Sequence, residues 1–279
     1  MSDEDDKPED MTRYALADLL TLANGNTDKH WTWCAIGELQ KRGTQLEWDA
    51  ASALTHSADA EKRAAGAAIL GQLGYTTGNF RDEAVETLIT LLRDTNLQVV
   101  IAAALALGHR HAVRAIPALI ALAAHPDNDV RGGVVHGLLS INDRRATDAL
   151  VELSRDDNPH NRDWATFGLG QLTDLDYPEL RNALAARLDD DHEETRQEGL
   201  CGLVARKDPR GIAALKEVLD GKSYTIGGCH LDAAAALADP AMLLPLQVLR
   251  IKVKDGDDSY WVACLDSAIC ACTPREVLG

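Results

Sequence analysis

Five stretches of the chain are versions of one pattern: AAGAAILGQLG (64–74), VVIAAALALGHRHAVRAIPAL (99–119), VRGGVVHGLLSINDRRATDAL (130–150), WATFGLGQLTDLDYPEL (164–180) and RQEGLCGLVARKDPRGIAAL (196–215). Such self-similarity constrains the fold more than any single motif, because a repeat too short to bury its own apolar faces must stack on its neighbours. Aligning one position per repeat gives Lys29, Arg63, Val100, Arg131, Arg162, Arg196 and Gly227, with spacings of 34, 37, 31, 31, 34 and 31 residues. The spacings differ by multiples of three, about one helical turn each.

Each repeat reads as two helices. In DEAVETLITLLRD (82–94) the apolar residues Val85, Leu88, Ile89 and Leu92 fall on one helical face. A turn follows, and Asp, Asn or Pro opens the second helix in PDNDV (126–130), DDNPH (156–160) and DDDHE (189–193). There a side-chain oxygen caps free amides and anionic residues suit the positive helix end. Ala and Leu dominate the apolar residues, whereas the chain holds only five Trp, five Tyr and two Phe, so close helix packing is favoured over strands. The expectation is an all-α fold, an α-solenoid of about eight helix pairs over residues 11–279, preceded by a disordered acidic tail at 1–10. Second helices begin near Asp28, Asp59, Asn96, Asn128, Asn158, Asp191, Ser223 and Asp257. No linker divides the chain, and GKSYTIGG (221–228) is the expected bend.

The D-x-x-V-R-x-x-A-x-x-x-L-G pattern resembles the HEAT-like repeats also found in phycobilisome lyase subunits. Asp129, Val130 and Arg131 match it most fully, and residues 162–170, from Arg162 through Trp164 and Phe167 to Gly170, match a form common in bacterial HEAT-repeat proteins. The resemblance covers about residues 11–273. It implies a binding scaffold whose second helices line a concave face. Val100 and Gly227 depart from the pattern, so the Asp-to-Arg links between repeats are expected to be missing there.

Numbering each second helix from its aligned position places core-facing residues at about +3, +7 and +10, and puts +1, +2, +5 and +9 on the open side. The +2 column holds Trp31, Ala65, Ala102, Gly133, Trp164, Glu198 and Cys229; the +5 column holds Cys34, Ala68, Leu105, His136, Phe167, Cys201 and Asp232. His136, Trp164 and Phe167 are the large rings of the middle repeats, with Asp163, Gln171, Gln197 and Glu198 beside them and Gly132 and Gly133 making room. Rings on an open column resemble the anchors that dominate interfaces; the competing expectation wedges them between helices. His136, Asp163, Trp164, Phe167, Gln171, Gln197, Glu198 and Trp31 are therefore the candidate partner-binding residues.

Catalytic signatures are missing: no G-x-x-x-x-G-K-[ST], H-E-x-x-H or G-x-S-x-G occurs. Cys264, Cys270 and Cys272 lack a metal knuckle, the adjacent Cys229 and His230 point about 100° apart on a helix, and His109 and His111 fall in a turn. The acidic runs at 189–194 and 255–258 lack the ligand order of a calcium loop. No cofactor, metal or catalytic residue is assigned, and the sequence weighs against an enzyme.

Lys and Arg number 28 against 44 Asp and Glu, a net charge of −16, which repels phosphate backbones and favours a basic protein or peptide partner. That weighs against similarity to the alkylpurine glycosylases built from HEAT-like pairs. A protein-binding scaffold is the preferred reading, one version being an immunity protein masking a basic toxin. A bilin-lyase-like chromophore chaperone and a DNA-directed enzyme are the alternatives. The longest apolar run, 99–107, is about half a bilayer crossing, and the acidic start lacks a secretory leader, so a cytoplasmic protein with reduced thiols is expected, its oligomeric state open.

Overall fold

The computed structural model describes residues 10–24, 29–75, 78–221, 226–254 and 258–274. Residues 1–9 of the expected tail, the helix starts at Asp28, Ser223 and Asp257, and the middle of the expected bend lie outside the described residues. All regular elements among the described residues are helical. The chain forms two compact units, Met1–Ala149 and Leu150–Gly279.

In the first unit a 3₁₀ turn, Met11–Arg13, precedes α1 (Leu16–Ala23), which packs on α2 (Lys29–Arg42). Then come α3 (Gln45–Thr55) with α4 (Ala60–Gln72), α5 (Arg81–Leu91) with α6 (Leu97–His109), and a 3₁₀ turn leading into the short α7 (Ile116–Ile120), which packs on α8 (Asn128–Leu138). Helix α9 (Arg144–Leu153) contains the boundary between the units. The second unit continues with α10 (Pro159–Gln171), α11 (Pro178–Ala186), α12 (Glu193–Ala205), α13 (Pro209–Leu219) and α14 (Gly228–Leu237). A 3₁₀ turn, Pro240–Met242, then leads into α15 (Leu243–Lys252) and α16 (Ser259–Cys272). Second helices stack in series: α4 on α6 on α8 in one unit, and α10 on α12 on α14 on α16 in the other.

The helix starts follow from the caps. Asp59, Asn96, Asp127, Asn158 and Asp258 each accept an amide hydrogen of the first turn through a side-chain oxygen. Helix α8 begins at Asn128 as the sequence reading has it, with Asp127 as its cap. One start differs from that reading. Helix α12 begins after His192, whose side chain makes no cap, and not at Asp191. The nearby Asp190 carboxylate instead accepts the His192 amide and is held by the Arg162 and Arg187 guanidiniums. Gly227 is the N-cap of α14, whereas the aligned Arg63, Arg131, Arg162 and Arg196 are each the fourth residue of their helices. The column alignment therefore slips by about one turn in α14.

Those arginines have a common task. Each donates to two carbonyls in the turn before its own helix: Arg63 to Ser57 and Ala58, Arg131 to His125 and Pro126, Arg162 to Asp156 and Asp157, and Arg196 to Asp190 and Asp191. Arg63 also grips Asp94 through two bonds of 2.7 and 2.8 Å, and Arg162 grips Asp190 through two of 3.0 Å, tying one helix pair to the next.

The expected core register holds at Val134, Leu138, Ile141, Ala165, Leu169 and Leu203, all buried. At +10, however, Arg110 and Arg206 occupy the inner position. Arg110 donates to the carbonyls of Leu70 and Leu73 at the end of α4, and Arg206 to those of Leu169, Gly170, Thr173 and Leu175 at the end of α10. Each satisfies carbonyls that a helix end leaves free. Burial lowers the Arg110 pKa to about 10, with Arg81 adding to the effect.

Candidate functional site

In the second unit, α10 and α12 present the residues singled out by the column reading. Trp164 is 42% exposed and meets Phe167, one turn later, edge to face at a centroid distance of 5.6 Å. Phe167 is half-buried, so one ring anchors the pair while the other stands in solvent. Gln171, a further turn along, is exposed and donates through Nε2 to Glu198 Oε2 at 3.2 Å, which fixes the carboxylate of α12 against α10.

Two carboxylates here are held in partly desolvated positions. Burial pushes the Asp163 carboxyl up, against the opposing influence of His192, while Thr195 Oγ1 donates to Asp163 Oδ1 at 3.5 Å. Burial likewise pushes Glu198 up, and its hydrogen bond from Gln171 offsets only part of that. Such groups gain most from an incoming cation, because the cation replaces the water they have lost. Gln197 donates to Glu193 at 3.5 Å on one side and accepts from the Cys229 thiol at 3.4 Å on the other. Phe167, Gln171, Glu198, Cys201, Cys229 and Asp232 line a hollow of about 430 Å³ across α10, α12 and α14.

The remaining two candidates lie in the first unit. His136 sits half-buried on α8 and lines a hollow of about 390 Å³ with Gln72, Tyr75, His109 and His111. Burial lowers its pKa, with a smaller push from His109. His109, the last residue of α6, meets Gln72 Nε2 through Nδ1 at 2.7 Å. Trp31 is half-buried on α2, with the His30 ring edge-on at 6.0 Å.

The glycine expectation needs correction. Gly133 is buried, and a Cβ there would lie 3.3 Å from Ala104 Cβ and 3.5 Å from Ile101 Cα, so this glycine admits α6 rather than opening room for a partner. The column reading also missed a relationship. Cys201 and Cys229 each appear in a column, but their approach across two helices depends on packing, which a column does not encode.

Comparison with known proteins places the chain. Matches to the family model described as HEAT repeats run over residues 49–138, 85–170, 116–197 and 147–227. The chain belongs to the HEAT-repeat family. Protein YibA of Escherichia coli K12 is 30% identical over 129 residues, 46% of this chain and 45% of YibA. The aligned segment thus spans about half the length of this curated relative. The X-ray structure of the Escherichia coli YibA protein superposes with a TM-score of 0.71 at 23% identity, covering 91% of this chain and 92% of that one. A crystal structure of importin beta superposes with a TM-score of 0.56 at 13% identity, covering 91% of this chain and 42% of importin beta. These likenesses establish the HEAT solenoid fold class. Among the described residues of this HEAT chain, no group of three or more His, Cys, Asp or Glu side chains is placed to hold a metal, and no helix is long and apolar enough to cross a membrane.

Proposed function

We propose that the chain is a non-catalytic protein-binding scaffold, taking a basic protein or peptide on the second-helix face of α10, α12 and α14. The observation that carries this reading is the half-exposed Trp164, braced by Phe167, on the helix pair that also carries Asp163 and Glu198, two carboxylates that burial holds short of water. An aromatic anchor next to under-solvated carboxylates suits an arginine- or lysine-bearing surface, through cation–π contact and ion pairing. The net charge of −16 adds a long-range attraction for the same class of partner and disfavours nucleic acid. Masking of a basic toxin by an immunity-type protein is one instance of this class, and a cytoplasmic setting accords with it.

The test is affinity capture from lysate followed by chemical crosslinking and titration of the captured partner against Trp164→Ala. The reading expects crosslinks on α10 and α12 and a loss of about 2 kcal/mol in binding, roughly thirtyfold in Kd. Crosslinks confined to first helices, or a Kd unchanged by Trp164→Ala in a folded variant, defeat it.

A further inference from the structure

Two thiols face each other on neighbouring second helices of the second unit. Cys201, on α12, donates to the backbone carbonyl of Cys229 at 3.6 Å, and the Cys229 thiol in turn reaches back to Gln197 of α12, one turn before Cys201. Cys229 is the second residue of α14, inside the turn whose unpaired amides carry the positive end of the helix dipole. Its thiol also reaches Gln197 Oε1 at 3.4 Å and lies 3.8 Å from His230 Nδ1. Both cysteines are half-buried and open onto the 430 Å³ hollow, which gives a small reagent a route to them. Of the other cysteines, Cys34 is half-buried on α2 with His30 Nε2 at 3.6 Å, Cys264 and Cys272 are buried, Cys272 donating to the Ala234 carbonyl, and Cys270 is exposed on α16.

We propose that Cys201 and Cys229 are a reversible dithiol–disulfide site, oxidised by low-molecular-weight disulfides of the glutathione class, which crosslinks α12 to α14 on the floor of the hollow. The neighbouring Cys201 thiol draws the Cys229 pKa down despite burial, with help from His230, whereas the Cys229 thiol and burial push Cys201 up. Cys229 is thus the attacking sulfur and Cys201 the resolving one. In the first step the Cys229 thiolate bonds to one sulfur of the reagent disulfide, the reagent S–S bond breaks, and one thiolate leaves and takes up a proton. In the second, Cys201 gives up its proton and attacks Cys229 Sγ, and the second reagent thiolate departs protonated. The protein dithiol loses two electrons, and one reagent disulfide becomes two thiols.

Oxidation removes the bond from Cys229 to Gln197 and pins two helices that line the candidate binding face. The site itself rests on the thiol geometry alone and stands whether or not a basic partner binds there.

The full chain is incubated with glutathione disulfide and glutathione at graded ratios, quenched with N-ethylmaleimide in denaturant so that all six thiols are accessible, and mapped by peptide mass spectrometry. Loss of two of six alkylatable thiols and a single 201–229 crosslinked peptide, restored by dithiothreitol, is the expected result. Cys201→Ser is expected to stop at a glutathione adduct on Cys229, and Cys229→Ser to lose the crosslink without gaining an adduct on Cys201. Full alkylation of both thiols at the most oxidising ratio, or a crosslink joining other cysteines, overturns the proposal. Mapping the wild-type chain decides the matter even where a serine variant fails to fold.

Discussion

Single residues in this protein are placed by competition between burial and partnership, and Glu198 shows the balance. Its carboxyl is pushed above the usual range by burial, so its folded pKa exceeds its unfolded one. The protonated form is favoured by folding; that stability is complete below the unfolded pKa and is lost as pH rises through the folded pKa. Glu198→Gln is therefore expected to gain about 0.5–1 kcal/mol at pH 7 in urea unfolding, with no gain at pH 4, and to weaken binding of a basic partner. Both changes follow from a charge kept under-solvated on the face proposed to bind a basic partner. Asp94 is the opposite case. Its two hydrogen bonds from Arg63 hold its pKa below the usual range, so its contribution is present above the unfolded value near 3.9 and is lost as pH falls through the lowered one. Asp94→Asn is expected to cost about 2 kcal/mol at pH 7, with the two melting curves converging in acid.

Elements stack here because small residues let second helices approach closely. A Cβ on Gly202 of α12 would lie 2.7 Å from Gly170 Cα of α10, and one on Gly108 of α6 would collide with the His136 carbonyl of α8. No side-chain rotation relieves a clash with backbone. Gly202→Ala is expected to lose about 1–3 kcal/mol by differential scanning calorimetry, although alanine is the better helix former. The stacking also explains why Arg110 and Arg206 are inward. Each closes the end of the preceding second helix, where carbonyls would otherwise face the next layer without donors. Arg206→Met keeps the bulk but loses those bonds, and is expected to lower Tm more than Arg155→Met, whose exposed guanidinium bridges Glu152 on the surface.

Across the whole molecule, the excess of acidic residues acts through the solvent rather than through any one contact. Association with a basic partner is expected to slow about tenfold in stopped-flow measurements between ~20 and ~150 mM salt, while dissociation changes little. A rate that ignores salt removes the electrostatic part of the proposed function. The same charge leaves the fold unaffected, because the helix pairs are specified by repeat period, apolar faces and caps.

Repeat period, helix pairing and most caps were legible in the sequence, since they depend on neighbours within a turn or two and on a pattern stated many times. Asp59, Asn96 and Asn158 cap where they were expected to, and the +3 and +7 positions of the repeats aligned from Arg63 to Arg196 are buried, because a helix fixes both relations locally. The register slip at Gly227 escaped because that repeat lacks the arginine that marks the others. What only the tertiary structure decided was which groups meet across layers: the Gly133 contact with α6, the arginines closing foreign helix ends, and the paired thiols of Cys201 and Cys229. Those relations join residues some thirty positions apart, and their geometry is set by how closely two helices approach, a distance that side-chain volumes in both helices determine together.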